Sequence, residues 1–523
     1  MQSNLLEMIN YFFQSLSRNF FLILLKFNFK RTQNYSFNDL NFKQSDLTNY
    51  KLIKNYVLKD NFIKNISITN IHTFDFILLY QKIGGKKGID LSKINIFTWF
   101  EKYKFYKNFL WKDDYSSKRF INIVYNYDFL CSISNEKEIK KIKYILNFHI
   151  RRIVYEIKRK KPEDISSFEF LALILIECIQ KNYNISLVNK INEIINLQID
   201  ECSMHRSYNI LEHVRFLNNL IEVKNIFLFF NKKTPLILNK NILAMTSLLK
   251  TYRHDDFSLP LFNGCNNNHI DEIQKISERE QFLRTKPLTS FKNGIAVYKD
   301  INKVLFFDVV QPTKFGYHKE LSASSLAIEI SAGGEKIITN CGGSEGSGKN
   351  PAYLKYSAAH STIVINNTNI SEIKEREINK TFPKEVFYET KDEEETKILS
   401  GTHNGYLLNY KKICKRKIII SKKNNFFIGE DTIISSKSNI DKNVFHIRFH
   451  LMPEISTTVT ENKKNVIIKT KKNSIWMFKS NNEIIIENSI FVKNDIAIQT
   501  SQIVISGITS SLKNKIQWSL EKI

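Results

Sequence analysis

Gly294-Ile-Ala-Val-Tyr298, Val304-Leu-Phe-Phe-Asp-Val-Val310, Leu326-Ala-Ile-Glu-Ile330, Lys336-Ile-Ile-Thr339 and Ser361-Thr-Ile-Val-Ile365 are short runs rich in β-branched and aromatic residues, set apart by Gly, Asn, Asp and Lys. Such residues suit a pleated, half-buried surface and the residues between them form turns, so each run reads as a strand. The rhythm continues through Ile418-Ile-Ile420, Val466-Ile-Ile468, Ile484-Ile-Ile-Glu-Asn488 and Gln502-Ile-Val-Ile505. A dozen or so strands at hairpin spacing describe a large antiparallel β-sandwich.

Upstream, the apolar period is helical. Phe120, Ile121, Val124, Tyr127 and Leu130 mark one amphipathic helix. Ile139 to Ile153 marks a second, and Phe168 to Ile179 a third after the start signal Pro162-Glu-Asp. Val188 to Leu197, Ile210 to Val223 and Leu243 to Leu249 follow. Antiparallel helix pairs on short loops are the economical arrangement. The change of period near Glu280 to Pro287 divides the chain into a helical domain, 1–282, and a β domain, 283–523, a multidomain α+β organisation. The charged stretch Asp271 to Glu280 reads as a linking helix. The aromatic patches Phe74 to Tyr80 and Phe97 to Phe100 read as packing against the helical domain.

Composition bounds the function. Lys and Arg exceed Asp and Glu by 77 to 52, a formal charge of +25, which favours a polyanionic partner: nucleic acid, anionic membrane surface or acidic polysaccharide. Lysines spread over every segment are also what a coding bias produces. No recognition helix, zinc finger or aromatic RNA-binding string accompanies the charge, so nucleic acid is not the expected partner. No run of apolar residues is long enough to span a membrane. Cys131, Cys178, Cys202, Cys265, Cys341 and Cys414 lie too far apart for a CxxC knuckle or a compact disulfide scaffold. The opening residues lack a basic n-region and a cleavage site, which argues against a secretory signal. Gly343-Ser-Glu-Gly-Ser-Gly-Lys349 follows the phosphate-loop pattern until Asn350 replaces its hydroxyl, and a loop between strands is the better reading.

Four polar constellations could carry chemistry. Asp200 to Asn209 sets His205, Arg206, Tyr208 and Asn209 just before a helix, where a proton-transfer group, an anion clamp and a helix-terminus donor can gather; a solvated loop with a helix cap fits as well. Lys250 to Gly264 sets Tyr252, Arg253 and His254 side by side, a phenol, a carboxylate clamp and an imidazole, or else a structural turn. His318 and His360 flank strands whose Ser322, Asn340 and Cys341 make a poor metal set. In Phe445-His-Ile-Arg-Phe-His450, a strand puts His446, Arg448 and His450 on one face, either lining a polar groove or facing solvent.

Taken in order, these strings resemble the heparinase II/III-like polysaccharide lyases. The resemblance is carried by Arg253-His-Asp-Asp256 with Leu261-Phe-Asn-Gly264, Leu326-Ala-Ile-Glu329, Thr339-Asn-Cys-Gly342 and Ala358-Ala-His-Ser-Thr-Ile-Val364. It continues through Thr402-His-Asn-Gly-Tyr406, Gly429-Glu-Asp-Thr432, Ile447-Arg-Phe-His450 and Trp518-Ser-Leu-Glu521, and spans roughly residues 95–523.

The resemblance implies an N-terminal incomplete (α/α) toroid followed by a C-terminal antiparallel β-sandwich. It also implies β-elimination at a uronic acid, in which a base takes the C5 proton, a cationic or polar group offsets the carboxylate charge and an acid protonates the departing O4. Glycosaminoglycans and alginate are substrates of that kind. By the same resemblance His205 and Tyr252 are the expected catalytic pair. Arg206, Asn209, Arg253, His254, His318, His360 and Arg448 are the expected substrate-binding residues. Where some members carry three zinc ligands, this chain has Ser322-Ala-Ser324, Thr339-Asn-Cys-Gly342 and Ala359-His-Ser-Thr362, so no metal and no cofactor are expected. The expected partner is an acidic polysaccharide, the expected state a monomer or homodimer. The substrate class argues for the cell envelope or periplasm; the lack of a convincing signal peptide argues against export and leaves the cytoplasm open. The alternative function is a catalytically altered glycan-binding or envelope-biogenesis protein that keeps the lyase fold.

Overall fold

The computed structural model describes residues 68–105, 109–111, 113–266, 273, 276, 286, 294–312, 321–344, 352–374, 377–378, 381–436, 441–493 and 496–523. Contacts divide the chain into two compact units. One takes in the described residues up to Lys190 with Asn225–Lys233, the other Ile191–Lys224 and the described residues from Thr234 on.

Among the described residues the helices are α1 (Ile68–Thr73), α2 (Phe76–Ile83), α3 (Gly85–Tyr103), α4 (Asp113–Tyr125), α5 (Tyr127–Cys131), α6 (Glu136–Ile157), α7 (Ser167–Ile179), α8 (Ile185–Gln198), α9 (Ile210–Phe229), α10 (Leu236–Thr251) and the single turn α11 (Leu407–Tyr410). Two of them open on reciprocal caps, Asn135 with Glu138 and Ser166 with Glu169, each satisfying backbone N–H groups that the first turn leaves free. Thus α7 starts from Ser166, and Pro162 opens only a 3-10 turn. The stretch from Phe120 to Leu130 is two helices. Asn126 breaks it with φ −106° and ψ 19°, its Nδ2 donating back to the Asn122 carbonyl at 2.8 Å. None of the described helices is long and apolar enough to cross a membrane.

The first unit is organised around a buried cation. Arg119 is fully buried, its guanidinium 4.1 Å from the Trp99 ring and 4.7 Å from that of Trp111. Nε donates to His149 Nε2 at 3.1 Å, and the terminal nitrogens donate to the carbonyls of His72 and Leu110. Weakly hydrated and planar, a guanidinium can be stacked and desolvated in this way where an ammonium cannot.

The strands are β1 (Gly294–Lys299), β2 (Lys303–Val309), β3 (Ile328–Ala332), β4 (Glu335–Thr339), β5 (Ile363–Ile365), β6 (Ile373–Lys374), β7 (Glu377–Ile378), β8 (Val386–Asp392), β9 (Thr396–His403), β10 (Lys412–Ser421), β11 (Phe426–Ser435), β12 (Val444–Leu451), β13 (Ser456–Val459), β14 (Asn465–Lys469), β15 (Ile475–Ser480), β16 (Ile484–Lys493), β17 (Ile496–Ile508) and β18 (Lys513–Lys522). One antiparallel sheet runs β1-β2-β3-β4-β12-β17-β16, with β5 also on β12; the other runs β13-β14-β15-β18-β11-β10-β9-β8. Their apolar faces share a single core. Phe307, Ile330, Ile447, Phe449 and Ile505 from the first sheet and Ile418, Ile420, Phe478, Trp518 and Leu520 from the second lie in one buried cluster. Burial of side chains this size contributes about 1.5–3 kcal/mol each, so this cluster is a large source of stability in the second unit. The reading of Asp271 to Glu280 as a helix falls outside the described residues except at Ile273 and Ile276.

Two details fix how the strands meet. Arg416 and Asp431 pair across β10 and β11 and are fully buried, with Nε–Oδ1 at 2.6 Å and Nη2–Oδ2 at 3.0 Å. Gly429 lies opposite Trp518 in the register of β11 and β18, and a Cβ on it would collide with the indole ring. Gly429→Ala should therefore cost about 1–3 kcal/mol of overpacking. A thermal melt checks this, and an unchanged Tm would contradict it.

Candidate active site

The loop between α8 and α9 is built from local polar bonds. Ile199 and His205 form an isolated antiparallel bridge, and Asp200 Oδ1 accepts the backbone N–H groups of Cys202 at 2.9 Å and Met204 at 2.8 Å. Ser203 and Tyr208 both sit in the left-handed region, at φ 68° and 51°. A side chain bearing a Cβ is uncommon there, and such strain gathers at functional sites. The loop ends at Asn209, whose Oδ1 accepts the Leu211 N–H at 2.9 Å and caps α9.

This architecture separates residues that the sequence left side by side. His205 is buried, with Nε2 3.0 Å from Gln198 Oε1 and Nδ1 2.8 Å from Ser207 Oγ. Burial lowers its pKa to about 4, so the ring is neutral and both nitrogens are bonded within the protein. Asn209, expected to bind substrate, spends its carboxamide oxygen on the helix cap. Arg206 is exposed. Tyr208 is half-buried and hydrogen-bonds to Asp200; burial first, then the Asp200 charge, raise its pKa, so the phenol stays protonated.

Tyr252 closes α10. It is buried, its hydroxyl donates to the Ile295 carbonyl, and its ring stacks on Phe306 at 6.1 Å between centroids. Burial, then the charge of Asp200, raise its pKa well above the usual phenol value. The structure thus gives Tyr252 a tie between α10 and β1, with its donor in use. Arg253 is half-buried, its guanidinium 4.7 Å over the Phe257 ring.

His254 belongs to a buried ionic cluster. Its Nε2 lies 3.1 Å from Glu329 Oε2 and its Nδ1 2.7 Å from Ser331 Oγ. Lys336 Nζ donates to the same Glu329 oxygen at 3.0 Å and to the Leu259 carbonyl at 3.2 Å. Glu329 Oε1 accepts from the backbone of Leu261 at 3.0 Å, from the backbone and side chain of Asn340 at 3.2 Å each, and from Thr339 Oγ1 at 3.3 Å. Burial works to raise the Glu329 pKa, but the Lys336 charge and the His254 hydrogen bond outweigh it and hold the carboxyl at about 2.

A third group lies on β12. His446, Arg448 and His450 alternate with Phe445, Ile447 and Phe449 of the core cluster and so face away from it. Arg448 Nη1 donates to Glu487 Oε2 at 2.9 Å and to Gln502 Oε1 at 3.3 Å, which leaves it engaged by protein acceptors. His450 is held by Ser489 Oγ at 2.7 Å and the Ala358 carbonyl at 3.0 Å. His360 is buried, and burial lowers its pKa to about 4. His318 lies outside the described residues.

The three positions at which the resemblance would put zinc do not form a ligand set. Ser322 offers only a hydroxyl, and the Asn340 carboxamide is committed, Nδ2 to Glu329 and Oδ1 to the Ser361 N–H at 2.9 Å. Among the described residues, no three His, Cys, Asp or Glu side chains are grouped to hold a metal ion.

Sequence reasoning named Tyr208 in a polar constellation without making it the catalytic phenol, and quoted Asp200, Glu329 and Lys336 within longer strings without giving any of them a role. The available signal was Asp200 and Tyr208 flanking Arg206 in one short polar loop. Nothing local marked Glu329, which occupies an ordinary alternating position in a strand.

These buried groups dictate an acid response. Burial lowers the pKa of His205, His213, His254 and His360 to about 4 and of His403 and His450 to about 3. The folded chain then binds fewer protons than the unfolded one below about pH 6.5, so their contribution is complete above that pH and is lost as pH falls toward 4. Glu329 adds a second loss from about pH 4.5 down to 2. Asp308, which burial raises to about 7, and Asp200, whose pKa burial also raises, act in the opposite direction but are outnumbered by the buried histidines. The Tm should be level near neutrality and fall steeply from about pH 6.5 to 4; a level Tm across that window would contradict the assignment.

The described chain is a helical region followed by antiparallel sheets, a heparinase-like multidomain fold. Residues 284–519 match the family described as Heparinase II/III-like, C-terminal, so the chain carries a heparinase II/III-like C-terminal domain. The structure is similar to that of heparinase III, with 11% identity, a TM-score of 0.71, and coverage of 98% of this chain and 91% of that one. A second heparinase III matches at 12% identity and a TM-score of 0.66, covering 96% and 88%. The heparan sulfate lyase HepC of Pedobacter heparinus matches at 13% identity and a TM-score of 0.59, covering 96% and 87%. At such identities the likeness is one of fold, a polysaccharide-lyase fold. No curated protein matches the chain by sequence.

Proposed function

We propose that the chain is a lyase that cleaves a uronate-containing acidic polysaccharide by β-elimination, working from the loop 200–209 and the neighbouring Arg253. The observation that carries this reading is Tyr208, a half-buried phenol bonded to Asp200, beside the exposed Arg206, on a loop with two left-handed side-chain-bearing residues. In the proposed step Asp200 takes the C5 proton and Tyr208 gives its own to O4 as that bond breaks. Asp200 then returns a proton to the Tyr208 oxygen, which restores both groups. Arg206 and Arg253 offset the carboxylate charge that grows as C5 is deprotonated, and removing one such donor typically costs roughly 3 kcal/mol. His205, Asn209 and Tyr252 hold this loop and its neighbour, while His254, His360 and Arg448 frame the adjoining sheet.

The same reading takes the helices as an incomplete (α/α) toroid and the two sheets as a sandwich around their shared cluster. It puts the protein, as a monomer or homodimer, in the envelope or periplasm where acidic glycans are met. Incubation with a panel of uronate glycans, followed by the ultraviolet absorbance of unsaturated uronate, tests the activity: absorbance should rise with at least one of them, and no rise across a broad panel would count against it. The alternative reading, a glycan-binding protein without turnover, is favoured by the burial of His205 and Tyr252, whose polar atoms are bonded within the protein. Tight binding of an acidic glycan with no unsaturated product would select it.

A further inference from the structure

The loop from Tyr252 to Gly264 has little regular structure, yet the ionic cluster holds it at three places. Glu329 takes the His254 ring and the Leu261 N–H, and Lys336, paired to Glu329, takes the Leu259 carbonyl. Both charged residues are buried and belong to the β3–β4 hairpin, Glu329 on β3 and Lys336 on β4. Two residues past Leu261, Asn263 sits in the left-handed region at φ 53°, and its side chain reaches the other loop. Nδ2 donates to the Tyr208 carbonyl at 3.2 Å, while Oδ1 accepts the Ser322 N–H at 3.1 Å. A continuous set of bonds therefore runs from the Glu329 carboxylate through Leu261 and Asn263 to the backbone of Tyr208.

We propose that Glu329, neutralised by Lys336, is a positioning residue for the site: it fixes the 254–261 segment and, through Asn263, sets where the Tyr208 backbone lies. The assignment rests on the reading that Tyr208 does chemistry, but the linkage itself does not. Glu329 accepts six hydrogen bonds, from His254, Lys336, Leu261, Thr339 and two groups of Asn340, so its two oxygens are filled and no position on it is left for substrate. Acting only through other residues, it suits holding a geometry in which errors of an ångström are expensive in rate.

Two variants and two readouts test the linkage. Glu329→Gln combined with Lys336→Met removes both charges together, so neither is left buried alone. Asn263→Asp keeps the acceptor for Ser322 and the tolerance for left-handed backbone but removes the donor to Tyr208. Amide hydrogen exchange in the double variant should rise about tenfold in both 254–264 and 200–209, with β10 and β11 unchanged. Asn263→Asp should loosen 200–209 by a similar factor and leave 254–261 protected. If the wild-type chain turns over a uronate glycan, both variants should lower kcat by about tenfold with KM little changed, because Tyr208 is displaced and the clamps on substrate remain. Exchange in 200–209 that stays at the wild-type level in Asn263→Asp overturns the linkage even if the double variant does not fold. Loosened loops with an unchanged kcat overturn the positioning role. A chain that turns over no glycan leaves the exchange result to decide the linkage by itself and counts only against the lyase reading.

Discussion

Tyr208→Phe should lower the rate of unsaturated-uronate formation by roughly 10²- to 10⁴-fold, the usual worth of a positioned acid or base, while the fold is kept. The phenol is half-buried and bonded to Asp200, so the substitution removes one hydroxyl at the edge of a loop. Tyr252→Phe is the informative control. It strips a buried carbonyl, that of Ile295, of its donor and should lower stability by about 1–3 kcal/mol with far less effect on kcat in the protein that remains folded. The reverse pattern, with Tyr252→Phe inactive but stable and Tyr208→Phe fully active, would restore Tyr252 to the catalytic place that resemblance gave it. Rates and melting curves on the same two preparations separate these outcomes.

Asp431→Ala should destabilise the second unit by about 3–5 kcal/mol, a large share of the roughly 5–15 kcal/mol that holds an ordinary domain folded. The carboxylate answers Arg416 with both oxygens and accepts the Trp518 indole N–H at 3.0 Å, all in the closed core between the sheets. Its loss strands a desolvated guanidinium, whose remaining bonds at Nη1 are to the carbonyls of Leu326 at 2.9 Å and Ser361 at 2.8 Å. Replacing both partners, with Arg416→Met and Asp431→Leu, should recover much of the stability, because a buried pair is far cheaper to remove whole than by half. Denaturant unfolding of the single and double variants checks this. A single variant as stable as wild type would mean that water reaches the pair.

Particular residues show what was legible in the sequence. The helix-to-strand order was, because apolar side chains repeat at 3.6 and then at 2 with little interruption, and the family resemblance followed the same order. Only Ile418 to Ile420 was read from the ten residues of β10, because Lys412 and Arg416 stand where apolar residues would complete the alternation. Both point inward, Lys412 to Ser435 Oγ at 2.6 Å and Arg416 to Asp431. A charge with its partner on another strand looks like a solvent-facing residue until the register is known. The single-helix reading of Phe120 to Leu130 failed for a local reason: Asn126 bonds back to its own preceding turn, and periodicity alone does not register that.

For the proposed site, the sequence named the two loops but not how their side chains are arranged. The strings 200–209 and 250–264 were both singled out in the sequence, and Asn263 and Tyr208 bond the two loops together. Which side chain turns inward is decided by the left-handed turns at Ser203 and Tyr208, and neither residue type announces such a backbone. His205 therefore went to the interior while Tyr208 stayed near the surface. Glu329 and Lys336 are seven residues apart on paired strands, and only the covering loop turns that pair into a buried hub.

The central claim is that the chain breaks a glycan next to a uronate through the acidity that the carboxyl group lends to C5. Carboxyl reduction of a cleaved polysaccharide leaves chain length and linkages intact but removes that acidity, so intact and reduced forms of the same polymer make the most direct comparison. Unsaturated product from the intact polymer and none from the reduced one is the predicted result. Equal chain scission of both, or scission of the intact polymer without any unsaturated end, would contradict it.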